Sequence, residues 1–163
     1  MNDMTMERDF NVFKEDFLNG DFDLNTIVEL IIKVRHYRNK LTSEQAAILL
    51  EIPLNVLEND VELKNNGDWQ RRNSDHFSGN MGANIDYIKE LRDKIMSNNY
   101  ELNDIYDLTK YVQENFASLS GSVEYLLRNA EVTIRNDVNL YSYSNFNKSG
   151  KVFAKYIEKA LNI

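Results

Sequence analysis

The hydrophobic residues of this chain recur mainly at intervals of three and four positions, which is the spacing of one face of an α-helix. Near the N-terminus they fall at positions 6, 10, 13 and 17, and a denser run covers Leu24–Val34. Further runs of this kind cover residues 83–97, 102–116, 119–134 and 152–161. No stretch alternates apolar and polar residues convincingly, and Val138–Tyr143 comes nearest to a short extended segment. The pattern predicts an all-α fold with seven or eight helices.

Turn-forming residues divide the chain into segments. The segment Asn65–Asn84 is rich in Asn, Ser and Gly and predicts the longest loop. We expect a helical unit over residues 1–66, a loop over 67–84 and a helical C-terminal part over 85–163, which packs on the first unit, forms a single domain with it, or dimerises. Polar residues near predicted helix starts are expected to cap helices or to face solvent. They are Asp23, Ser120 or Ser122, and the pair Asp104 and Asp107.

Residues 41–63 carry the one recognisable motif of the chain. Thr42 or Ser43 is placed to cap a short helix, and Ile52-Pro53 is predicted to end that helix and begin the next, because proline suits a first helical turn. Together with the helix before it, this arrangement resembles the helix-turn-helix superfamily over about residues 24–64. The resemblance implies a tri-helical N-terminal unit and, in DNA-binding members, a second helix that lies in the major groove.

The charges of the chain favour a basic protein surface over nucleic acid as its partner. The sequence has 19 basic and 26 acidic residues, a net charge of −7, and residues 1–66 hold 13 of the acids but 7 of the bases. Such a field attracts cationic surfaces and repels a duplex that carries one negative charge per ~1.7 Å. The predicted second helix and the turn before it are strongly acidic. The expected partner-binding residues are Glu51, Asn55, Glu58, Asn59, Asp60 and Glu62.

Basic residues cluster at two other places, which supports an alternative function. One cluster lies at the end of the predicted supporting helix, where positive charge also suits the helix dipole. The other lies beside Trp69 in the long loop. If the protein is instead a dimeric helix-turn-helix transcriptional regulator, Asn55 and Asn59 contact bases and these basic residues contact DNA phosphates. The phosphate-binding residues would then be Lys33, Arg35, Arg38, Lys40, Arg71 and Arg72.

The residue content argues against most enzyme chemistry. The chain has no Cys, which excludes disulfides, thiol catalysis and iron–sulfur ligation, and it has two His. No second ligand stands at helical spacing from His36, so a metal site is not indicated. The spacing from Arg71 to His76 resembles the Arg…His pair of HEPN-family ribonucleases, which lies on a helix in that family, whereas glycines bracket it here. We therefore expect no enzymatic activity and no cofactor.

The sequence thus predicts a cytoplasmic regulatory or inhibitory protein that acts by protein–protein binding. No apolar run approaches the ~20 residues of a membrane span, and the polar first residues do not form a secretory signal. The acidic, Asn-rich, helical composition resembles that of accessory proteins of phages and mobile elements. Eight of the nine Tyr residues follow position 86. We expect most of them to pack in the core and, because tyrosine is enriched at interfaces, the rest to form a homodimer or partner surface.

Overall fold

The computed structural model describes residues 4–59, 85–97, 100, 102–136 and 150–163, which form seven α-helices, one 3-10 helix (Phe116–Ser118) and no strand. The α-helices are α1 (Met4–Asn19), α2 (Leu24–His36), α3 (Ser43–Asn59), α4 (Ile85–Met96), α5 (Leu102–Glu114), α6 (Gly121–Arg135) and α7 (Gly150–Leu161). The predicted all-α fold is therefore confirmed for these ranges. None of these helices is both long and apolar enough to span a membrane. The predicted loop 67–84 and the segment Val138–Tyr143 lie outside the described residues.

Three helices begin at polar residues that the sequence indicates. The Asp23 carboxylate accepts a hydrogen bond from the backbone N–H of Thr26 at 3.0 Å, and the Thr26 hydroxyl accepts one from the N–H of Asp23 at 3.2 Å. Thr42 and Gln45 form the same reciprocal pair at the start of α3, with distances of 2.9 and 3.0 Å. Ser120 caps α6 by accepting a single backbone N–H. These bonds satisfy donors that lack partners within the helix, and the predicted caps at these three helix starts are confirmed.

Helix α3 continues without interruption through Pro53, so the predicted helix end at Ile52-Pro53 is wrong. Residues 43–59 therefore form one helix where the sequence predicts two. An internal proline removes one backbone hydrogen bond and costs a helix about 3 kcal/mol. Burial of one large aliphatic side chain contributes roughly 1.5–3 kcal/mol, so packing on both sides of the proline outweighs that cost. The buried side chains are those of Leu49, Leu50, Ile52, Leu54, Val56 and Leu57.

The helices pack around α3, which contacts α2, α5 and α7. Helix α1 lies along α7, and α6 packs on α4 and also touches α2. One continuous cluster of buried apolar side chains includes residues from all seven of these helices. Helices from the predicted segments 1–66 and 85–163 therefore contribute to the same core. Some apolar residues of the predicted runs lie outside it, among them Ile85, which is 39% exposed, and Val152, which is 49% exposed.

The contact between α1 and α7 joins the two ends of the described chain. The rings of Phe17 and Phe153 meet edge to face, with their centroids 5.5 Å apart. Gly150 approaches α1 so closely that a Cβ atom there would lie 1.9 Å from the carbonyl oxygen of Phe17. Farther along the contact, the Lys14 ammonium donates a hydrogen bond to the carbonyl oxygen of Ile163 at 3.2 Å. The absence of a side chain at position 150 therefore allows the two helices to approach.

Candidate functional site

The exposed side of α3 carries a row of carboxylates. Glu44, Glu51 and Glu58 are all exposed and are seven residues apart. Because seven residues make almost two helical turns, the three side chains share one face, at steps of about 10.5 Å. We call these three residues the acidic row. Glu51 and Glu58 are predicted partner-binding residues, whereas Glu44 is not. Of the remaining predicted residues, Asn55 is half-buried, and Asn59 is the last residue of the helix.

Glu51 and Glu58, the two members of the acidic row that the sequence predicts to bind a partner, are not neutralised by basic residues in the described part of the chain. Glu51 accepts a hydrogen bond at 3.1 Å from the side-chain amide of Gln113 on α5, a neutral donor. Glu58 is exposed and forms no ion pair with a described residue. Both negative charges therefore face solvent. The predicted residues Asp60 and Glu62 lie outside the described residues.

A polar groove of about 680 Å³ lies between α2 and α6. Each wall is one helix face, because the lining residues recur at intervals of three and four positions. Three of the six predicted phosphate-binding residues line it, together with two arginines of α6 and three glutamates. The charged lining residues are Lys33, Arg35, Arg38, Arg128, Arg135, Glu29, Glu124 and Glu131. We call this feature the polar groove.

Arg35 is buried beside the groove and connects its two walls. Its Nε lies 2.8 Å from both carboxylate oxygens of Glu131, and its Nη1 lies 2.6 Å from Glu124 Oε2. Burial alone would lower the pKa of Arg35, but the hydrogen bonds and charges of the two glutamates outweigh it and raise that pKa. Burial raises the pKa of Glu131, against the opposing effect of Arg35. Arg35 is therefore a link between α2 and α6, and not the exposed phosphate ligand that its position in the sequence suggests.

Two further arginines of the groove are partly exposed and ion-paired. Arg38 follows α2 and lies 3.1 Å from Glu124, with its side chain 34% exposed. Arg135 lies 3.1 Å from Glu29, with its side chain 45% exposed. Exposed pairs of this kind contribute little stability, about 0–1 kcal/mol, so their side chains can exchange partners at low cost.

Lys33 lies at the edge of the groove and pairs with α1. Its ammonium is 3.6 Å from the carboxylate of Asp9, which also accepts a hydrogen bond from the Tyr37 hydroxyl. The Tyr37 bond, with the charge of Lys33, outweighs burial and holds the pKa of Asp9 below its ordinary value. Lys40 is exposed in the turn after α2 and does not line the groove. The other predicted phosphate ligands, Arg71 and Arg72, lie outside the described residues.

A buried polar cluster between α4 and α5 was not predicted. Asp104 and Asp107 were expected to cap a helix or to be exposed, but they are 3% and 2% exposed. Lys94 neutralises Asp104 across a distance of 3.1 Å. Burial, followed by the negative charge of Asp107, raises the pKa of Tyr87. The available signal was position, because Asp104 lies one turn before the core residue Leu108, on the same side of α5.

Neither a metal-ligand group among the described residues nor similarity to a known protein identifies a further site. Among the residues that the structure describes, no three His, Cys, Asp or Glu side chains are grouped so that they could hold a metal ion. Comparison of the chain with protein-family models, curated proteins and solved structures finds no match. The candidate sites are therefore defined by their own residues, as the acidic row and the polar groove.

Proposed function

We propose that this protein is a non-enzymatic regulator or inhibitor that binds a partner protein through the acidic row of α3. The observation that supports this function is the exposure of Glu51 and Glu58 without a basic partner in the described chain. Exposed carboxylates that have no basic partner among the described residues can bind basic side chains of another protein. The net charge of −7 strengthens the negative field around them.

The geometry of the acidic row favours a partner with an extended basic surface. Its three carboxylates span about 21 Å along one side of α3. Exposed charges of this kind increase the association rate and fix the orientation of the complex, while contacts around them supply most of the affinity. A protein surface that otherwise holds nucleic acid has the required positive charge. Asp60 and Glu62 follow α3 in the sequence and are proposed to extend the contact.

Charge reversal tests this function. The double variant Glu51→Lys and Glu58→Lys, used as bait in a lysate of the native host, is expected to lose a protein that the wild type captures. The matched control reverses two other exposed glutamates, Glu15 on α1 and Glu90 on α4, and changes the net charge equally. The control should retain the captured protein. Equal capture by both double variants at low salt would contradict the proposal.

The alternative function is DNA binding by a dimer. Repeating the capture experiment with a nuclease-treated lysate distinguishes this alternative from protein binding. Its support is that Lys33 and Arg38, two predicted phosphate ligands, line one groove and are partly exposed. Under this alternative, nuclease treatment abolishes capture, and binding to a duplex weakens steeply with salt concentration. A cytoplasmic location, an origin in a phage or mobile element, and a homodimer remain predictions from the sequence.

A further inference from the structure

We infer that the polar groove between α2 and α6 is a binding site for a small phosphate-bearing molecule. This inference goes beyond the proposed function, because the groove is built by other helices than the acidic row and would serve a different ligand. It rests on three observations: a buried framework that shapes the groove, an arginine of the lining that has no partner among the described residues, and a volume suited to a small molecule.

The buried framework holds the two walls of the groove in position. Arg35 on α2 contacts Glu131 and Glu124 on α6, and Arg35 and Glu131 are 8% and 3% exposed. A buried ion pair of this geometry is strongly coupled, because separating it would leave uncompensated charges in the interior. The groove is therefore formed before a ligand arrives, which lowers the entropic cost of binding.

Arg128 is the basic residue that this framework leaves without a partner. It is exposed, lines the groove, and has no hydrogen bond or ion pair with any described residue. Its natural partners on the helix surface are Glu124, one turn before it, and Glu131, one turn after it. Both carboxylates already bind cations, since Glu131 holds Arg35 while Glu124 holds Arg35 and Arg38. An incoming anion would supply the negative charge that Arg128 lacks.

The opposite wall offers further donors to an anion. His36 is exposed at the end of α2, and Lys33 lies one turn before it on the same wall. A neutral imidazole keeps one N–H donor, so His36 can donate a hydrogen bond in either protonation state. The groove lining contains five Lys or Arg residues against three carboxylates, so basic side chains remain in excess although the whole protein is acidic.

The size and charge of the groove favour a small phosphate compound over a nucleic acid. Its volume of about 680 Å³ falls within the roughly 300–1,000 Å³ of small-molecule sites. Guanidinium groups such as that of Arg128 match phosphate oxygens with two parallel hydrogen bonds. A long polyanion would also meet the field of a protein with a net charge of −7, whereas a small ligand responds mainly to the local charges.

Titration calorimetry with inorganic pyrophosphate, followed by ADP and uncharged adenosine, tests the inference in a phosphate-free buffer at low salt. The wild type should bind pyrophosphate and ADP saturably, with one molecule per chain, and should not bind adenosine. Arg128→Ala should weaken pyrophosphate binding by about tenfold or more, because one charge-assisted hydrogen-bond donor is lost. His36→Ala should weaken it by a smaller factor, and neither variant removes a side chain that is buried or ion-paired in the described structure.

Lys155→Ala is the matched control, because it removes one positive charge from an exposed position on α7 that does not line the groove. It should leave pyrophosphate affinity unchanged. Equal weakening by Arg128→Ala and Lys155→Ala would indicate non-specific attraction and overturn the inference. Absence of saturable binding at millimolar pyrophosphate would also overturn it. So would binding of a short DNA duplex, but not of pyrophosphate, that depends on Arg128.

Discussion

Arg35 illustrates at the scale of one residue how a charge is accommodated inside this protein. Its guanidinium is buried, but two glutamates of α6 accept its hydrogen bonds and balance its charge. The free energy of such a pair depends on both partners being present. If one partner is removed, the desolvation of the other is no longer compensated.

We expect Arg35→Ala to reduce the free energy of unfolding by about 3–5 kcal/mol, because Glu131 would remain buried without its counter-ion. Urea denaturation followed by circular dichroism measures this change. Arg38→Ala is the control, because that side chain is one-third exposed and its pair with Glu124 should contribute about 0–1 kcal/mol. The double variant Arg35→Met and Glu131→Met should recover most of the loss, since an apolar pair needs no counter-ion. Equal losses for Arg35→Ala and Arg38→Ala would show that burial of the pair does not matter.

The sequence shows why this role could not be predicted. Lys33, Arg35 and Arg38 stand close together among basic residues at the end of one helix, and nothing local distinguishes the buried member from the others. The distinction is made by Glu131, which is 96 positions away in the chain. The ion pair of Asp104 could not be predicted for a related reason, because its partner Lys94 belongs to another helix.

At the scale of the helices, local signals explain where α2, α3 and α6 begin but not where α3 ends. Capping residues bond to atoms three positions away, so a sequence motif contains the whole interaction. The effect of Pro53 depends instead on what α3 packs against. Its buried neighbours on both sides keep the helix continuous.

The contact between α1 and α7 leads to a prediction at the same scale. Gly150→Ala should reduce the free energy of unfolding by about 1–3 kcal/mol, because a Cβ at this position would overlap the Phe17 carbonyl group and force the helices apart. Thermal and urea denaturation measure the effect.

Gly121→Ala is the matched control for this substitution. Gly121 also begins a helix, but nothing lies within 4 Å of a Cβ placed there. Alanine at that position should be neutral or should stabilise the protein by up to about 1 kcal/mol, because it restricts the unfolded chain. Equal destabilisation by both substitutions would contradict the steric explanation.

At the scale of the whole molecule, the described helices share one hydrophobic core. Residues from the first helix to the last belong to the same buried cluster, and α3 contacts helices from both halves of the chain. The hydrophobic pattern predicted the helices because each apolar stripe is a local property. It did not predict the polar groove, because a groove is defined by which two helix faces meet, and α2 and α6 are far apart in sequence.

A shared core predicts that the protein unfolds in one cooperative transition. In differential scanning calorimetry, the calorimetric and van't Hoff enthalpies should agree. Gly150→Ala, at the contact of α1 with α7, and Leu126→Ala, in the core part of α6, should each lower the temperature of that same transition. Two separate transitions, each shifted by one of these substitutions, would instead indicate independently folding halves.

The contact between α1 and α7 also affects how the protein can fold while it is being synthesised. Lys14 and Ile163, which meet in this contact, are 149 positions apart. The ribosome therefore releases α1 long before the helix that covers it. During that interval Phe17 lacks its contact with Phe153 of α7, and a nascent chain that exposes such apolar surface is a natural substrate for chaperones. Synthesis of the last helix is the step that allows this native contact to form.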